Sequence, residues 1–406
     1  MRLSQSEMKK QAAILVFSEL RSDARVQRQI LKLAVEYRLT VFALGGFDGM
    51  PDDARLVQIH PSRSFFGRIV RGLAGLLGLH ELAFWSIATV RGTVQALQGV
   101  NRGDFAFWVA NDIETLPIAL RSCGGAPVWF DAHEYSPRES EELLRWRLLH
   151  QPLKKYLCKK YIPLCSGMST VSEGIAQAYQ ELAGKKSIVV LNAPGYRKLK
   201  AAPVIRGNRI RLVHHGVATP SRGLEIMLQA VQRLESEGDH RYEAHFFLLA
   251  NSADSIRYLG ELQRQAENSA FVKFHSPVPP QQLCDTLSEF DIGVISIPPV
   301  NFNSVHCLPN KFFDFIQARI PVMSGPLVEI EAWVKSRNLG WITKGFSVEA
   351  FVDSLRNLDL EQLAEKKIAL EAAAFECSSE HSLARFDEAV ARMLNSEAHA
   401  GSLELC

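Results

Sequence analysis

The sequence predicts an α/β protein of two doubly wound domains facing each other across a cleft, and three observations carry that expectation. Short apolar, β-branched runs alternate with segments of helical period along the chain, the pattern of parallel sheets with crossover helices. The runs lack in–out alternation, as strands buried on both faces should. A polar, basic, aperiodic stretch at 196–209, containing Pro203 and Gly207, separates two such series.

In the first series the expected strands are Ala12–Phe17, Thr40–Leu44, Phe107–Ala110, Val128–Phe130, Met168–Val171 and Ile188–Leu191. In the second they are Ile210–His214, His245–Leu249, Phe271–Phe274, Ile292–Ile297, Pro321–Met323 and Gly340–Thr343. Val26, Ile30 and Leu33 share one face of the first crossover helix, and Leu224, Met227, Leu228, Val231 and Leu234 do so after the first strand of the second series. The expected domains are 1–195 and 210–375, joined by the linker 196–209, with a helical segment 376–406 packing back on the first domain. A chain of 406 residues is too long for one ordinary core, which agrees.

With 47% hydrophobic and 22% charged residues, the composition is that of a soluble globular protein. A net charge of +2 argues against a nucleic-acid partner. The apolar run Ala12–Phe17 is too short for a secretory signal, and seven cysteines without a C-x-x-C pair fit a reducing compartment, so the expected location is cytoplasmic. Gly72–Val90 is the least polar stretch, but its glycines, His80 and Glu81 suit buried or interfacial helices better than a membrane span.

Ligands of open parallel sheets bind beyond the carboxyl ends of the strands, so the residues directly after each strand are the candidates. Asp23 follows the first strand and either caps the next helix or contacts an acceptor. Asp131, His133 and Glu134 crowd one strand end, with Asn111-Asp112 a similar pair after another. Gly216 lets a ligand approach the backbone, and Arg222 stands at the mouth of a helix, a good cradle for a diphosphate. Ser276 lies in a proline-rich loop suited to reading a flat base.

The most informative segment is Pro309-Asn310-Lys311-Phe312-Phe313-Asp314. Asn310 is a natural helix cap, and Asn310, Lys311 and Asp314 share one side among large apolar residues. Either Lys311 and Asp314 form an ion pair, or Lys311 meets phosphate while Asp314 accepts a ribose hydroxyl.

In order and spacing these residues resemble the glycosyltransferase family 4 group, particularly bacterial capsular and cell-surface polysaccharide members, from about Ala12 to about Thr343. The pieces include Asp23-Ala24-Arg25-Val26, Asp131-Ala132-His133-Glu134, Thr170–Ile175, Gly216 with Arg222-Gly223, and the Pro309-Asn310-Lys311 helix. The resemblance implies a GT-B fold of two Rossmann-like domains. It also implies sugar transfer from a nucleotide-diphosphate sugar, with UDP as the expected nucleotide, usually with retention and with no metal or other cofactor. It places His133 beside the reacting sugar. The family's ribose-binding glutamate matches Asp314, and its donor-sugar glutamate falls on His306. Arg319 replaces a usual glycine, and Val217 occupies the first of two basic positions, leaving Arg222 to work with Lys311.

Segment 60–71 interleaves arginines with large apolar residues, and 153–161 carries four lysines among tyrosines and leucines. Both suit contact with anionic lipid, hence a saccharide or lipid-linked saccharide acceptor and peripheral binding to the inner face of the membrane. Two other functions fit: a non-catalytic partner subunit, favoured by His306 and Val217, and a nucleotide-sugar epimerase of the same fold.

Overall fold

The computed structural model describes residues 9–201 and 209–403, so positions 202–208 of the expected linker lie outside the described residues. The chain divides into two compact units, Met1–Val190 with Leu383–Cys406, and Leu191–Ser382. The strands of the first are β1 (Gln11–Leu15), β2 (Arg38–Ala43), β3 (Arg55–Gln58), β4 (Phe105–Asn111), β5 (Val128–Asp131), β6 (Gly167–Thr170) and β7 (Ile188–Val189). They form a seven-stranded parallel sheet in the order β3-β2-β1-β4-β5-β6-β7.

The second unit holds β8 (Ile210–Val217), β9 (Tyr242–Leu249), β10 (Val272–His275), β11 (Ile292–Ile295), β12 (Val322–Ser324) and β13 (Gly340–Ile342). These make a six-stranded parallel sheet, β10-β9-β8-β11-β12-β13. In both sheets the first strand sits between neighbours that run outward in opposite directions. The order therefore switches at β1/β4 and at β8/β11, the places where such sheets open a crevice.

Every expected strand is present; β3 is the addition. It is an edge strand with Arg55 and Gln58 exposed, so its apolar run shrinks to Leu56 and Val57. The apolar stripes of the crossover helices are buried as their period requires: Val26, Ile30 and Leu33 on Ala24–Leu33, and Leu224, Met227, Leu228, Val231 and Leu234 on Leu224–Ser236.

The helix Ser379–Leu403 sends Phe386 and Val390 into the core of the first unit. Phe386 meets Trp129 edge to face at 5.3 Å, and Asp387 pairs with Lys32 at 2.7 Å. Burying a phenylalanine contributes about 1.5–3 kcal/mol, and an edge-to-face pair about 0.5–1.5 more. Gly72–Val90 falls within short helices, Phe65–Leu76, His80–Trp85 and Ala88–Ala96. Among the described residues no helix is long and apolar enough to cross a membrane.

Candidate functional site

In the first unit, candidate residues gather where β1, β4 and β5 end. Arg25, on the helix after β1, is almost wholly buried against Asp131 at the end of β5. Its Nε donates to Asp131 Oδ2 at 2.9 Å, its Nη2 to Oδ1 at 2.5 Å, and its Nη1 to the Val190 carbonyl at 2.9 Å. Ser169 Oγ donates to Asp131 Oδ1 at 2.6 Å and accepts from Trp129 Nε1 at 2.8 Å. Burial alone would raise the Asp131 pKa, but Arg25 and His133 outweigh it and hold the carboxyl well below the usual range. Asp131 is thus a fixed anion that orders the strand end.

His133 rests on that anion. Its Nε2 lies 3.2 Å from Asn111 Oδ1 and 3.5 Å from Asp131 Oδ2, while Nδ1 lies 3.6 Å from Asp112 Oδ2. Both ring nitrogens therefore face acceptors. Burial opposes the charged ring, yet Asp112 and Asp131 prevail and raise its pKa. Asp112 takes a left-handed backbone, φ 68°, held by Thr115 Oγ1, which donates to the Asn111 and Asp112 carbonyls.

His133, Glu134, Asp112, Glu139 and Lys154 line one pocket of about 470 Å³ at this strand end. Glu134 is exposed as a residue, but the pocket walls withdraw its carboxyl from water and the charges of Glu139 and Asp112 oppose its ionisation. Its pKa is pushed up to about 7. The pocket thus offers hydrogen-bonding groups of both signs, as recognition of a polyhydroxylated ligand requires.

Asp23 lies outside this group. Its Oδ1 accepts from the Val26 amide at 3.1 Å and its Oδ2 from Ser18 Oγ at 2.7 Å, so both oxygens serve the helix start. Capping is the role its geometry describes.

In the second unit, β8 runs on through His214, His215 and Gly216, and the loop that follows carries Arg222. Gly216 has φ 122°, and a Cβ there would lie 3.8 Å from Lys311 Nζ. Gly223 has φ 59° and passes against the Ser296 carbonyl after β11, while Ser296 Oγ donates to the Arg222 carbonyl at 3.0 Å. These contacts fix the Arg222 loop at the β8/β11 switch.

Lys311 enters from the helix Asn310–Gln317 and is buried, 7% exposed. His214 Nδ1 lies 2.8 Å from the Val294 carbonyl, which can only accept. Nδ1 therefore carries the proton, and bare Nε2 accepts from Lys311 Nζ at 2.7 Å. Burial, then the charge of Arg222, pushes the Lys311 pKa well below its ordinary value. Burial, with Lys311 nearby, likewise lowers His215, to about 3, so both histidines are neutral partners.

Asp314 Oδ2 lies 3.5 Å from His215 Nε2, and the charge of Asp314 opposes that of Arg222 at Lys311. The expected Asn310 cap is corrected. Pro309 holds the N-cap position with extended backbone, and Asn310 is the first helical residue, so no side chain caps the helix. The Phe312 N–H turns back to the Pro309 carbonyl at 2.8 Å, which leaves the N–H groups at Asn310 and Lys311 for another acceptor.

His306 lies 3.5 Å from buried Glu329 and packs on Phe302, ring centroids 4.5 Å apart. Ser276 is exposed on the loop after the edge strand β10 and has no described contact with the Lys311 group. Arg319 adopts the left-handed backbone a glycine would, φ 61°, and its Nη1 donates to the Ile316 and Gln317 carbonyls, closing the helix that bears Lys311. The residues that sequence reasoning passed over are His214 and Glu329. The signal was available for His214, a polar residue inside an apolar strand.

No family model matches the sequence, and a search of curated proteins returns no match. Solved structures do match it over nearly its whole length. One is an α,α-trehalose-phosphate synthase (UDP-forming) from Burkholderia vietnamiensis, 13% identical, TM-score 0.65, covering 97% of this chain and 99% of that one. Another is Anabaena Alr3699/HepE in complex with UDP and glucose, 14% identical, TM-score 0.66, covering 95% and 99%. The E. coli trehalose-6-phosphate protein bound with UDP-2-fluoro glucose is 10% identical, TM-score 0.66, covering 95% and 99%. At these identities the likeness is one of fold: the chain has two Rossmann-like domains of the GT-B class.

Proposed function

We propose that the chain is a glycosyltransferase that moves a sugar from a nucleotide-diphosphate sugar to a saccharide or lipid-linked saccharide acceptor, in surface polysaccharide or glycolipid synthesis. The observation that carries this reading is Lys311: a buried amine held by a neutral histidine, beside Gly216 and within the opposed fields of Arg222 and Asp314. A cation so placed is stabilised by a multiply charged anion, and a diphosphate is the anion that β8/β11 crevices accommodate. The fold neighbours support the choice, since their descriptions name UDP, UDP-2-fluoro glucose and UDP-forming synthesis.

On this reading Lys311, Arg222 and the uncapped N–H groups at Asn310 meet the diphosphate oxygens, whose charge grows as the sugar–phosphate bond breaks. These groups place positive charge at the leaving oxygen without a bound metal. Asp314 accepts from a ribose hydroxyl. His306 brings the Glu329 carboxylate to the donor-sugar position, which favours an active enzyme over a degenerate subunit. The family resemblance puts His133, both of whose ring nitrogens face acceptors, beside the transferred sugar, and Glu134 is assigned to the acceptor. The transfer retains configuration at the anomeric carbon, as the family resemblance implies.

Thermal shift and calorimetry with UDP and UDP-sugars test the reading. Wild type is stabilised by UDP, and Arg222→Ala weakens binding by roughly tenfold through loss of one charge-assisted contact. No stabilisation of wild type by any nucleotide would sink the diphosphate site. Binding without sugar release or transfer identifies a partner subunit, and an isomerised sugar still on its nucleotide identifies an epimerase.

A further inference from the structure

A second pocket on the first unit, about 510 Å³, is walled by Arg63, Arg68, Arg71 and Arg91 together with Ser64 and Ser86. No acidic side chain lines it, and among the described residues none of these arginines has a carboxylate partner. Arg91 is set in place: its Nη2 donates to the Ser62 carbonyl, while its buried Nε has no partner. A Cβ at Gly67 would lie 2.9 Å from Arg91 Nη1, so the helix Phe65–Leu76 packs directly against the guanidinium. Converging guanidinium groups without an acid repel one another and are relieved by a phosphate, which each can meet through two parallel N–H donors.

The same helix is built inside out. Gly67 and Ala74 pack inward, while Phe65, Ile69, Leu73 and Leu76, at i, i+4, i+8 and i+11, share a face open to solvent. Phe65 is 72% and Leu76 77% exposed. Arg71 and Leu76 also share a neighbouring pocket with Arg145 and Leu148 of the helix Leu144–Leu149, so apolar surface and positive charge continue across two helices. A helix of water-soluble character buries its leucines and exposes its small residues' side; this one does the reverse.

We propose that the four-arginine pocket binds the phosphate headgroup of a membrane amphiphile while the outward face of Phe65–Leu76 enters the acyl boundary of the bilayer. Positive charge selects the headgroup and the adjacent apolar face selects the chain, which is the chemistry of an acidic lipid rather than of a free phosphate. The inference deepens the acceptor side of the proposed function and rests on it only for what the lipid is used for; the binding stands on the pocket.

Vesicle flotation of the full chain tests it, with phosphatidylcholine alone and phosphatidylcholine containing phosphatidic acid. Wild type floats with the acidic vesicles and not with the neutral ones. R68A/R71A binds them roughly 25-fold more weakly, about fivefold per arginine, and F65S/L76S at least about tenfold more weakly. Both variants keep the wild-type circular dichroism and melting temperature, which shows that they fold and separates this test from that of the nucleotide site. Variants that float like wild type, or a wild type that ignores acidic vesicles, overturn the proposal. Calorimetry with inorganic diphosphate supplies the other arm: binding that needs Arg68 and Arg71, without flotation, assigns the pocket to a soluble phosphate and removes the membrane.

Discussion

Each unit buries a basic side chain beneath the ends of its strands, and the two are completed differently. Arg25 meets Asp131 through two hydrogen bonds, with Ser169, Gln29 and His133 filling the remaining positions around the carboxylate. Lys311 meets a neutral histidine and a glycine, with Arg222 and Asp314 acting on it with opposite sign. A buried charge that brings its own counterion is architecture, and its removal costs stability. A buried amine whose direct hydrogen-bond partner is a neutral histidine has a place for a ligand, and its removal costs binding.

The sharpest way to break this comparison is to exchange the two costs. Asp131→Asn leaves Arg25 buried and unpaired, and should lower the stability of the first unit by about 3–5 kcal/mol, read by urea denaturation through Trp129 and its neighbours. Lys311→Met should do the reverse. Stability stays equal or rises, because a desolvated amine is replaced by an apolar chain, while UDP affinity falls by about 2–3 kcal/mol, roughly 30- to 150-fold by calorimetry. If Lys311→Met unfolds the protein, the amine is structural and the contrast fails.

The smallest effect belongs to Glu134. Its folded pKa, about 7, lies above the ordinary 4.5, so between those values the folded protein holds a proton that the unfolded chain releases. Stability must then fall as pH rises through that window, by on the order of 1 kcal/mol once solvent screening at this exposed residue is allowed for. Glu134→Gln should flatten the change in melting temperature between pH 5 and 7.5, which is expected to be about 2–4 °C in wild type. A slope that survives the substitution assigns the titration elsewhere.

The strands were legible because each is a continuous apolar run buried on both faces; β3, exposed at an edge, was not. Gly216, Arg222 and Lys311 were legible because strand-end position and helix-start chemistry are local properties. The partners that give them meaning were not. Asp131 is 106 residues from Arg25, and His214 is 97 from Lys311, so no window of sequence joins them. Inside a short window, the sequence of 153–161 also misled. Lys154 is tied to Glu114 and Glu139, and Lys160 to Glu81, so half of that patch is neutralised within the fold. The free basic and apolar surface lies instead on Phe65–Leu76 and Leu144–Leu149. Gly67 of the first of these helices packs against Arg91, a contact periodicity does not contain.

The terminal helix Ser379–Leu403 has a consequence for how the protein is made. Phe386, which completes the packing around Trp129, leaves the ribosome only after the whole Leu191–Ser382 unit has been synthesised. The unit that begins first therefore finishes last, with an indole-lined gap in its core exposed throughout translation of the other. Its closure is a contact of very long sequence separation, the kind that slows folding and invites chaperone attention, whereas the continuous second unit has no such wait.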